Sequence, residues 1–305
     1  MPGFNRVVQW LACHNPVQML DILRAGSELG CAMDLADLKA ALDAAHPRLP
    51  LNQPLAGWES FWRGYSLLGS HLVQAKAYFR LARERAVEAR DYPLVALAVF
   101  WEGACLILMG KIDASSRLVQ VGTSILDSRD GGKHLYKVEN LRAHTQLHAG
   151  EGAAALETLE RLDSYGHPSE LERASDEALR ALYLISDGQQ AAARRALALP
   201  HEVLKGSGSQ RLKSLCELTS ALIDASESPK DSPAVLQRTA LAMREAKNPY
   251  LEVYARESLA VALYDTRCKS EAKTEIDASR NLRQGLKMAY TAWDQRRFTP
   301  QPATA

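Results

Sequence analysis

The feature that most restricts the fold of this chain is a glycine that returns about every 40 residues. Four such glycines stand at intervals of 41, 40 and 38 residues, namely Gly69, Gly110, Gly150 and Gly188. Glycine adopts a positive φ without steric cost, and it therefore ends helices sharply. Because this period separates helix-length segments, it predicts stacked helical pairs, each of which covers its neighbours.

The segments around these glycines are typical of helices. Alternating apolar and polar residues with hairpin turns, the pattern of strands, are essentially absent. Proline-free runs of helical length cover residues 94–109, 134–149, 174–186, 209–225, 250–264 and 269–290. We therefore predict an all-α fold.

Small residues recur in phase with the glycines, one in each helix of a pair. Antiparallel helices approach closely where the side chains at their crossing are small. The two members of each pair are 12 residues apart, and they are Gly103 with Ser115, Ala143 with Ala155, Ala181 with Ala193, and Ala260 with Ala272. The pattern predicts that these residues mark the crossings within the helical pairs.

Two short segments, EARDYP at 88–93 and EAKNPY at 245–250, read almost alike although they lie 157 residues apart. Four units of about 39 residues fit between them, so we interpret both as junctions between consecutive units. Asp91 and Asn248 are predicted to cap the helix that follows, since their side chains accept hydrogen bonds from a first turn. The neighbouring prolines suit that first turn.

These positions resemble the tetratricopeptide family of helix–turn–helix repeats over residues 56–290. The two small residues and the turn glycine match, and the family's bulky residue four positions further on matches Val119, Leu159, Leu197 and Ile276. The unit is longer than the family's unit of about 34 residues, and in this the chain is similar to the repeat regions of MalT- and LuxR-type bacterial regulators. The resemblance implies an α-solenoid, a right-handed superhelix of antiparallel helix pairs.

The sequence divides into three parts. A proline-rich segment at residues 46–57 separates an N-terminal helical region at 1–55, an irregular repeat or a cap, from the TPR-like repeats at 56–290. The last part, residues 291–305, ends in RRFTPQPATA, which is polar and contains proline. We expect a flexible C-terminal tail there.

Composition excludes several classes of protein. The formal net charge of +1 creates no field that favours nucleic acid or anionic membranes. No stretch approaches the roughly 18 apolar residues of a membrane span, and His14 and Asn15 interrupt the apolar patch near the start, so we expect neither an anchor nor a signal peptide. Five widely spaced cysteines indicate reduced thiols rather than disulfides. We expect a cytoplasmic protein.

The resemblance implies that the first helix of each pair lines a concave groove that holds an extended peptide. Carried over position by position, it gives the candidate binding residues Lys137, Asn140, His144, His148, Tyr254 and Glu257. The first three share one helix face because they are three and four residues apart, and their hydrogen-bond donors suit a peptide backbone or a carboxylate. The alternative is that these are ordinary surface residues, or core residues if the superhelix closes; Phe100 is interpreted as core.

His144 and His148 are also spaced like zinc ligands on a helix. The glutamate of an HExxH motif is missing between them and no third ligand is evident, so we predict no metal site. The sequence also lacks the phosphate-binding and nucleophile motifs of common enzymes. We predict neither catalytic residues nor a cofactor.

Direct nucleic-acid binding is not expected. The basic run YFRLARERAVEAR at 78–90 interleaves arginine with glutamate, which is typical of a solvated helix face. Residues 1–56 contain a turn followed by a short helix, as in a helix-turn-helix, but their net charge is −1. They therefore lack the basic flanks that contact phosphates.

We therefore expect a non-enzymatic adaptor or regulator that binds a protein or peptide in its groove. The alternative is a sensor that binds a small molecule or a signalling peptide and is coupled to transcription. A closed apolar groove around Phe100 and Ile107 favours the sensor, and an open polar groove around Lys137 and His144 favours protein recognition. The sequence leaves the identity of the partner and the oligomeric state, including a homo-oligomer, open.

Overall fold

The computed structural model describes residues 53–165, 169–207 and 209–298, and the regular structure within these ranges is entirely helical. This confirms the predicted all-α fold. Of the N-terminal region predicted at 1–55, residues 1–52 lie outside the described part of the chain. The helices are α1 (Gln53–Leu67), α2 (Leu72–Ala89), α3 (Tyr92–Leu108), α4 (Ile112–Asp130), α5 (Leu135–Ala149), α6 (Gly152–Arg161), α7 (Glu170–Ser186), α8 (Gln190–Ala196), α9 (Ala198–Ser207), α10 (Gln210–Glu227), α11 (Ser232–Glu245), α12 (Pro249–Asp265), α13 (Lys269–Leu286) and α14 (Ala292–Phe298), with a short 3₁₀ helix, Leu162–Tyr165, after α6.

The described residues form two compact units that divide within α5 and α6. The first unit contains residues 53–145 and 158–165, and the second contains residues 146–157 and those from 169 onward. Within the first unit, α1 packs against α2, α2 against α3, and α3 against α4. Within the second, the same holds from α10 to α13, and α7 packs against α8, α9 and α10. Packing of consecutive helices is the arrangement that the repeat pattern predicts.

The two junction segments fold as predicted. The side chains of Asp91 and Asn248 each accept a hydrogen bond of 3.3 Å from the backbone N–H three residues further on, so each caps the helix that follows. The residue before each cap, Arg90 or Lys247, adopts a positive φ of 56° or 52°. A left-handed residue followed by a cap therefore ends one helix and starts the next at both junctions.

Three of the four predicted turn glycines confirm the prediction, because Gly110, Gly150 and Gly188 have φ angles of 71°, 91° and 75°. The prediction is wrong for Gly69, which does not adopt a positive φ. There α1 ends in a tight turn, in which two successive N–H groups donate to the carbonyl of Leu67 at 3.1 and 2.8 Å. This turn closes the helix without a left-handed residue.

The small residues of the four predicted crossings are all buried, and two of them contact the next helical pair. A Cβ atom added to Gly103 of α3 would overlap the side chain of Leu141 on α5. Ser115 of α4 shares a 2.8 Å hydrogen bond with Thr145, also on α5. Small residues in this pair therefore make room for the following helix, a role that their spacing within a pair did not indicate.

We expect Gly103→Ala to lower the free energy of unfolding, because its methyl group would collide with the Leu141 side chain. Overpacking a core costs about 1–3 kcal/mol, which outweighs the gain of about 1 kcal/mol from replacing glycine by alanine in a helix. Urea unfolding followed by circular dichroism measures the difference.

The matched control is Gly285→Ala in α13, where an added Cβ meets no atom within 4 Å. This change is expected to raise the free energy of unfolding by about 0.5–1 kcal/mol. A Gly103→Ala protein as stable as the unmodified one would contradict the close packing of α3 against α5.

Candidate functional site

In the first unit, predicted site residues of α5 gather around Phe100 of α3. The ammonium nitrogen of Lys137 lies 5.7 Å from the centre of the Phe100 ring, and the ring of His144 meets the same ring edge-on at a centroid distance of 5.8 Å. Both side chains are half-buried, whereas Asn140, one turn from each, is only 2% exposed. Phe100 is itself buried, which confirms its assignment to the core.

A row of aromatic rings continues from Phe100 to α1. Tyr65 of α1 and Trp101 of α3 meet edge-on at a centroid distance of 5.2 Å, and Trp101 meets Phe100 in the same way at 5.3 Å. Such pairs contribute about 0.5–1.5 kcal/mol beyond the burial of their surface. The row links α1, α3 and α5, the first helices of their pairs, and it ends beside the ammonium group of Lys137.

In the second unit, predicted site residues surround a tryptophan from the C-terminal part of the chain. The indole ring of Trp293 meets the rings of His148, Tyr254 and Tyr183 at centroid distances of 5.1, 5.3 and 6.2 Å. These three residues lie on α5, α12 and α7, the first helices of their pairs. Because Trp293 is 5% exposed, this face of the first helices holds a segment of the same chain.

Polar contacts fix the same segment. Thr291 Oγ1 and His148 Nδ1 share a hydrogen bond of 2.9 Å. The backbone N–H and the hydroxyl of Thr291 donate to Asp294 Oδ2 at 2.9 and 3.0 Å, and the Asp294 N–H approaches Thr291 Oγ1 at 3.4 Å. This reciprocal pair acts as a capping box at the start of α14.

The tail that the sequence predicts to be flexible at 291–305 therefore begins with a packed stretch. Residues 292–298 form α14, and Thr291, Trp293 and Asp294 are buried. Burial of one large aromatic side chain and two hydrogen-bonded polar ones orders this stretch, although the composition around it is polar. Residues 299–305 lie outside the described part of the chain.

Arg283 of α13 connects this segment to Glu257 of α12. Its guanidinium group donates to both carboxylate oxygens of Glu257, at 2.6 and 2.9 Å, to Asp294 at 3.0 Å, and to the carbonyl of Ala289 at 3.1 Å. The three charged side chains are at most 3% exposed. The predicted site residue Glu257 thus serves here as the partner of a buried arginine.

The environment of Arg283 keeps it charged. Burial acts to lower the pKa of Arg283, but its hydrogen bonds to Glu257 and the charge of Asp294 more than offset this and raise the pKa. The rings of Tyr290 and Tyr254 also lie over the guanidinium, with centres 4.2 and 5.7 Å away. One buried cation therefore bridges two carboxylates beneath two aromatic faces.

Burial shifts the acid–base behaviour of other groups in the second unit. It raises the pKa of Asp176 on α7 well above the ordinary value, an effect that the charge of Arg211 opposes. It also raises the pKa of Tyr183, one of the residues around Trp293. Burial raises the pKa of the Cys216 thiol to about 12, so this thiol is not a nucleophile at neutral pH.

In addition to these two faces, a cleft lies between α9, α10 and α11. It is an open cleft of about 490 Å³, and its polar lining carries both signs of charge, with Lys213 and Arg238 beside Glu217 and Asp224. Mixed charge of this kind shows no preference for an anionic or cationic ligand. The cleft therefore ranks behind the two faces described above as a candidate site.

Within the described ranges, no group of three or more His, Cys, Asp or Glu side chains is placed to hold a metal ion. None of the helices described is long and apolar enough to cross a membrane.

In the basic run of α2, Arg83 pairs with Glu102 at 2.9 Å and Arg85 donates to Ser60 at 2.7 Å. These two arginines therefore form polar contacts from α2 to α3 and to α1.

Comparison with known proteins gives no match, either among protein families or among curated proteins. The resemblance to the tetratricopeptide family therefore stays a prediction from the repeat residues alone. The two first-helix faces are the candidate functional sites.

We expect Arg283→Met to lower the free energy of unfolding by about 3–5 kcal/mol, because it leaves two buried carboxylates without their cation. Glu257 and Asp294 are each about 1% exposed, so water cannot replace the guanidinium without opening the structure. Guanidinium chloride unfolding measures this loss.

The matched control is Arg280→Met on the same helix, since Arg280 forms an exposed ion pair with Asp277. Exposed pairs contribute little to stability. Equal effects of the two substitutions would contradict the role given to Arg283.

Asp176→Asn tests the raised pKa of Asp176 through the pH dependence of stability. An unfolded aspartate loses its proton near pH 3.9, whereas the folded one holds it to higher pH. The unmodified protein therefore loses this contribution to its stability as pH rises from about 4 through the folded-state pKa. We expect the variant to gain stability relative to the unmodified protein over that range, as measured by urea unfolding at several pH values. The exposed Asp224→Asn serves as control, and a difference that does not change with pH would contradict the shift.

Proposed function

We propose that this protein is a non-enzymatic recognition module that binds a peptide or protein segment on the first helices of its repeats, as an adaptor or regulator. The observation that carries the proposal is the contact of Thr291 and Trp293 with first helices. In the second unit, three first helices together hold a segment that lies outside the helical pairs. A surface that accommodates one such segment has the chemistry to accommodate another.

The contacts of that segment are of the kinds that peptide recognition uses. A large aromatic side chain enters a pocket of other rings, which is the usual anchor of a tightly bound peptide. A histidine pairs with a hydroxyl, and an arginine pairs with a carboxylate in charge-assisted hydrogen bonds. Because packed helices carry these groups, little conformational entropy is lost when a partner binds.

The proposal extends to the architecture and the context of the protein. The helical pairs are proposed to stack as a right-handed superhelix like that of tetratricopeptide proteins, with units similar to those of MalT- and LuxR-type regulators. Support comes from the left-handed turn glycines, the two helix caps and the packing of consecutive helices. A cytoplasmic location and the lack of direct nucleic-acid binding are parts of the same proposal, consistent with the net charge of +1.

A second candidate function is that of a sensor for a small molecule. The observation that favours it is the aromatic row of the first unit, in which Tyr65, Trp101 and Phe100 lie in succession and Lys137 caps the end. Phe100 and Ile107 are both buried, as a closed apolar environment requires. A planar apolar ligand with an anionic group has the matching chemistry.

Selection from a random peptide library displayed on phage tests the recognition function directly. The targets are the unmodified protein and a Lys137→Ala, His144→Ala, His148→Ala variant that removes polar groups from both first-helix faces. We expect the unmodified protein to enrich peptides that bind the variant at least about tenfold more weakly, a loss of about 1.4 kcal/mol.

The matched control is a Lys273→Ala, His71→Ala variant, which removes the same kinds of side chain from exposed positions outside those faces. It is expected to bind the enriched peptides like the unmodified protein. Failure to enrich any peptide, or equal binding by both variants, would contradict recognition on these faces. Thermal stabilisation of the unmodified protein by planar anionic compounds, with no peptide enriched, would instead support the sensor.

A further inference from the structure

The segment around Trp293 reaches well beyond the helical pair that it follows. A terminal capping helix has to cover only the exposed side of the last pair. Trp293 instead contacts His148 and Tyr183 as well as Tyr254, and its hydrogen-bonded neighbour Thr291 lies 143 residues from His148 in the chain. The segment thus lies along first helices of different pairs, which is where a bound peptide is proposed to lie.

Three side chains of the segment each contact a different group of the surface. The hydroxyl of Thr291 meets His148, the indole of Trp293 enters the ring cluster, and the carboxylate of Asp294 meets Arg283. The segment therefore presents the pattern Thr-x-Trp-Asp to this surface. Each of these contacts uses a side chain, so another chain that carries the same residues can make them.

The segment is also suited to leave the surface. Its helix α14 spans Ala292–Phe298, seven residues, which is too short to be stable without packing. Arg283 keeps both hydrogen bonds to Glu257 when Asp294 departs, so withdrawal of the segment does not leave a buried arginine unpaired.

We propose that the surface formed by His148, Tyr183, Tyr254 and Arg283 is a binding site for protein segments in which an acidic residue follows a tryptophan. The chain's own residues 291–294 occupy this site as an internal competitor, and a partner segment of the same pattern displaces them. The proposal rests on the recognition function given above. It adds the chemistry of the partner and a means by which the free protein limits its own binding.

A synthetic peptide that spans residues 287–298 and carries an N-terminal fluorescein is the probe. Its binding to the full-length unmodified protein and to full-length Trp293→Ala is measured by fluorescence anisotropy. We expect saturable binding to Trp293→Ala and binding at least about tenfold weaker to the unmodified protein, because occupation by the internal segment lowers the fraction of free sites. A probe with alanine in place of its tryptophan is expected to bind neither protein.

Two controls separate release of the segment from general loosening of the fold. Gly103→Ala lowers stability in the first unit and leaves the segment intact, so it is expected to bind the probe like the unmodified protein. If Trp293→Ala does not fold, as judged by circular dichroism, Thr291→Val replaces it. That change removes the hydroxyl between His148 and Asp294 and keeps the shape of the side chain, and it is expected to raise probe affinity about threefold or more.

The proposal is overturned if folded Trp293→Ala, or Thr291→Val in its place, binds the probe no more tightly than the unmodified protein. It is also overturned if Gly103→Ala gains as much affinity. If library peptides still bind the first-helix faces in that case, the recognition function stands and the internal competitor alone is rejected. If no library peptide binds either, both proposals fail.

Discussion

A helical pair leaves one side apolar, and only another part of the chain can cover it. Much of the fold follows from this constraint. Gly103 is small because the side chain of Leu141 on the following first helix fills the space beside it, and Ser115 hydrogen-bonds to that same helix. Beyond α13 the described chain has no further pair, and Trp293 packs instead against the rings of Tyr183, Tyr254 and His148 on the first helices. The need to cover apolar surface therefore also accounts for the position of this segment on the first helices.

The two faces differ in what they offer a partner. Lys137 and His144 are half-buried around Phe100, where an aromatic row and an ammonium group lie side by side. Around Trp293, the rings and the buried Arg283 are engaged by the chain itself. A ligand of the first face has to fit an existing surface, whereas a ligand of the second has to compete with residues 291–294. Under the proposed recognition function, the two faces would therefore bind partners with different energetic requirements.

What could be predicted from the sequence depended on local geometry. Asp91 and Asn248 cap their helices because a cap involves neighbouring residues, and Gly110, Gly150 and Gly188 adopt positive φ for the same reason. The repeat phase also selected His148 and Tyr254 as first-helix positions. Tyr65 and Trp101 were missed, although both are aromatic residues on first helices. The occupant of the second face was missed because Trp293 stands in a polar stretch and its contact with His148 spans 145 residues, a distance over which no repeat pattern extends.

We propose that Trp293 is held on the first helices and leaves them when a partner segment binds. Fluorine NMR of the full-length protein labelled with 5-fluorotryptophan tests it most directly, with the Trp293 signal assigned from a Trp293→Phe spectrum. We predict a signal without a solvent isotope shift in the free protein, and a solvent-exposed signal when an excess of the peptide of residues 287–298 is added. A signal that is solvent-exposed from the start, or one that stays buried at saturating peptide, would contradict it.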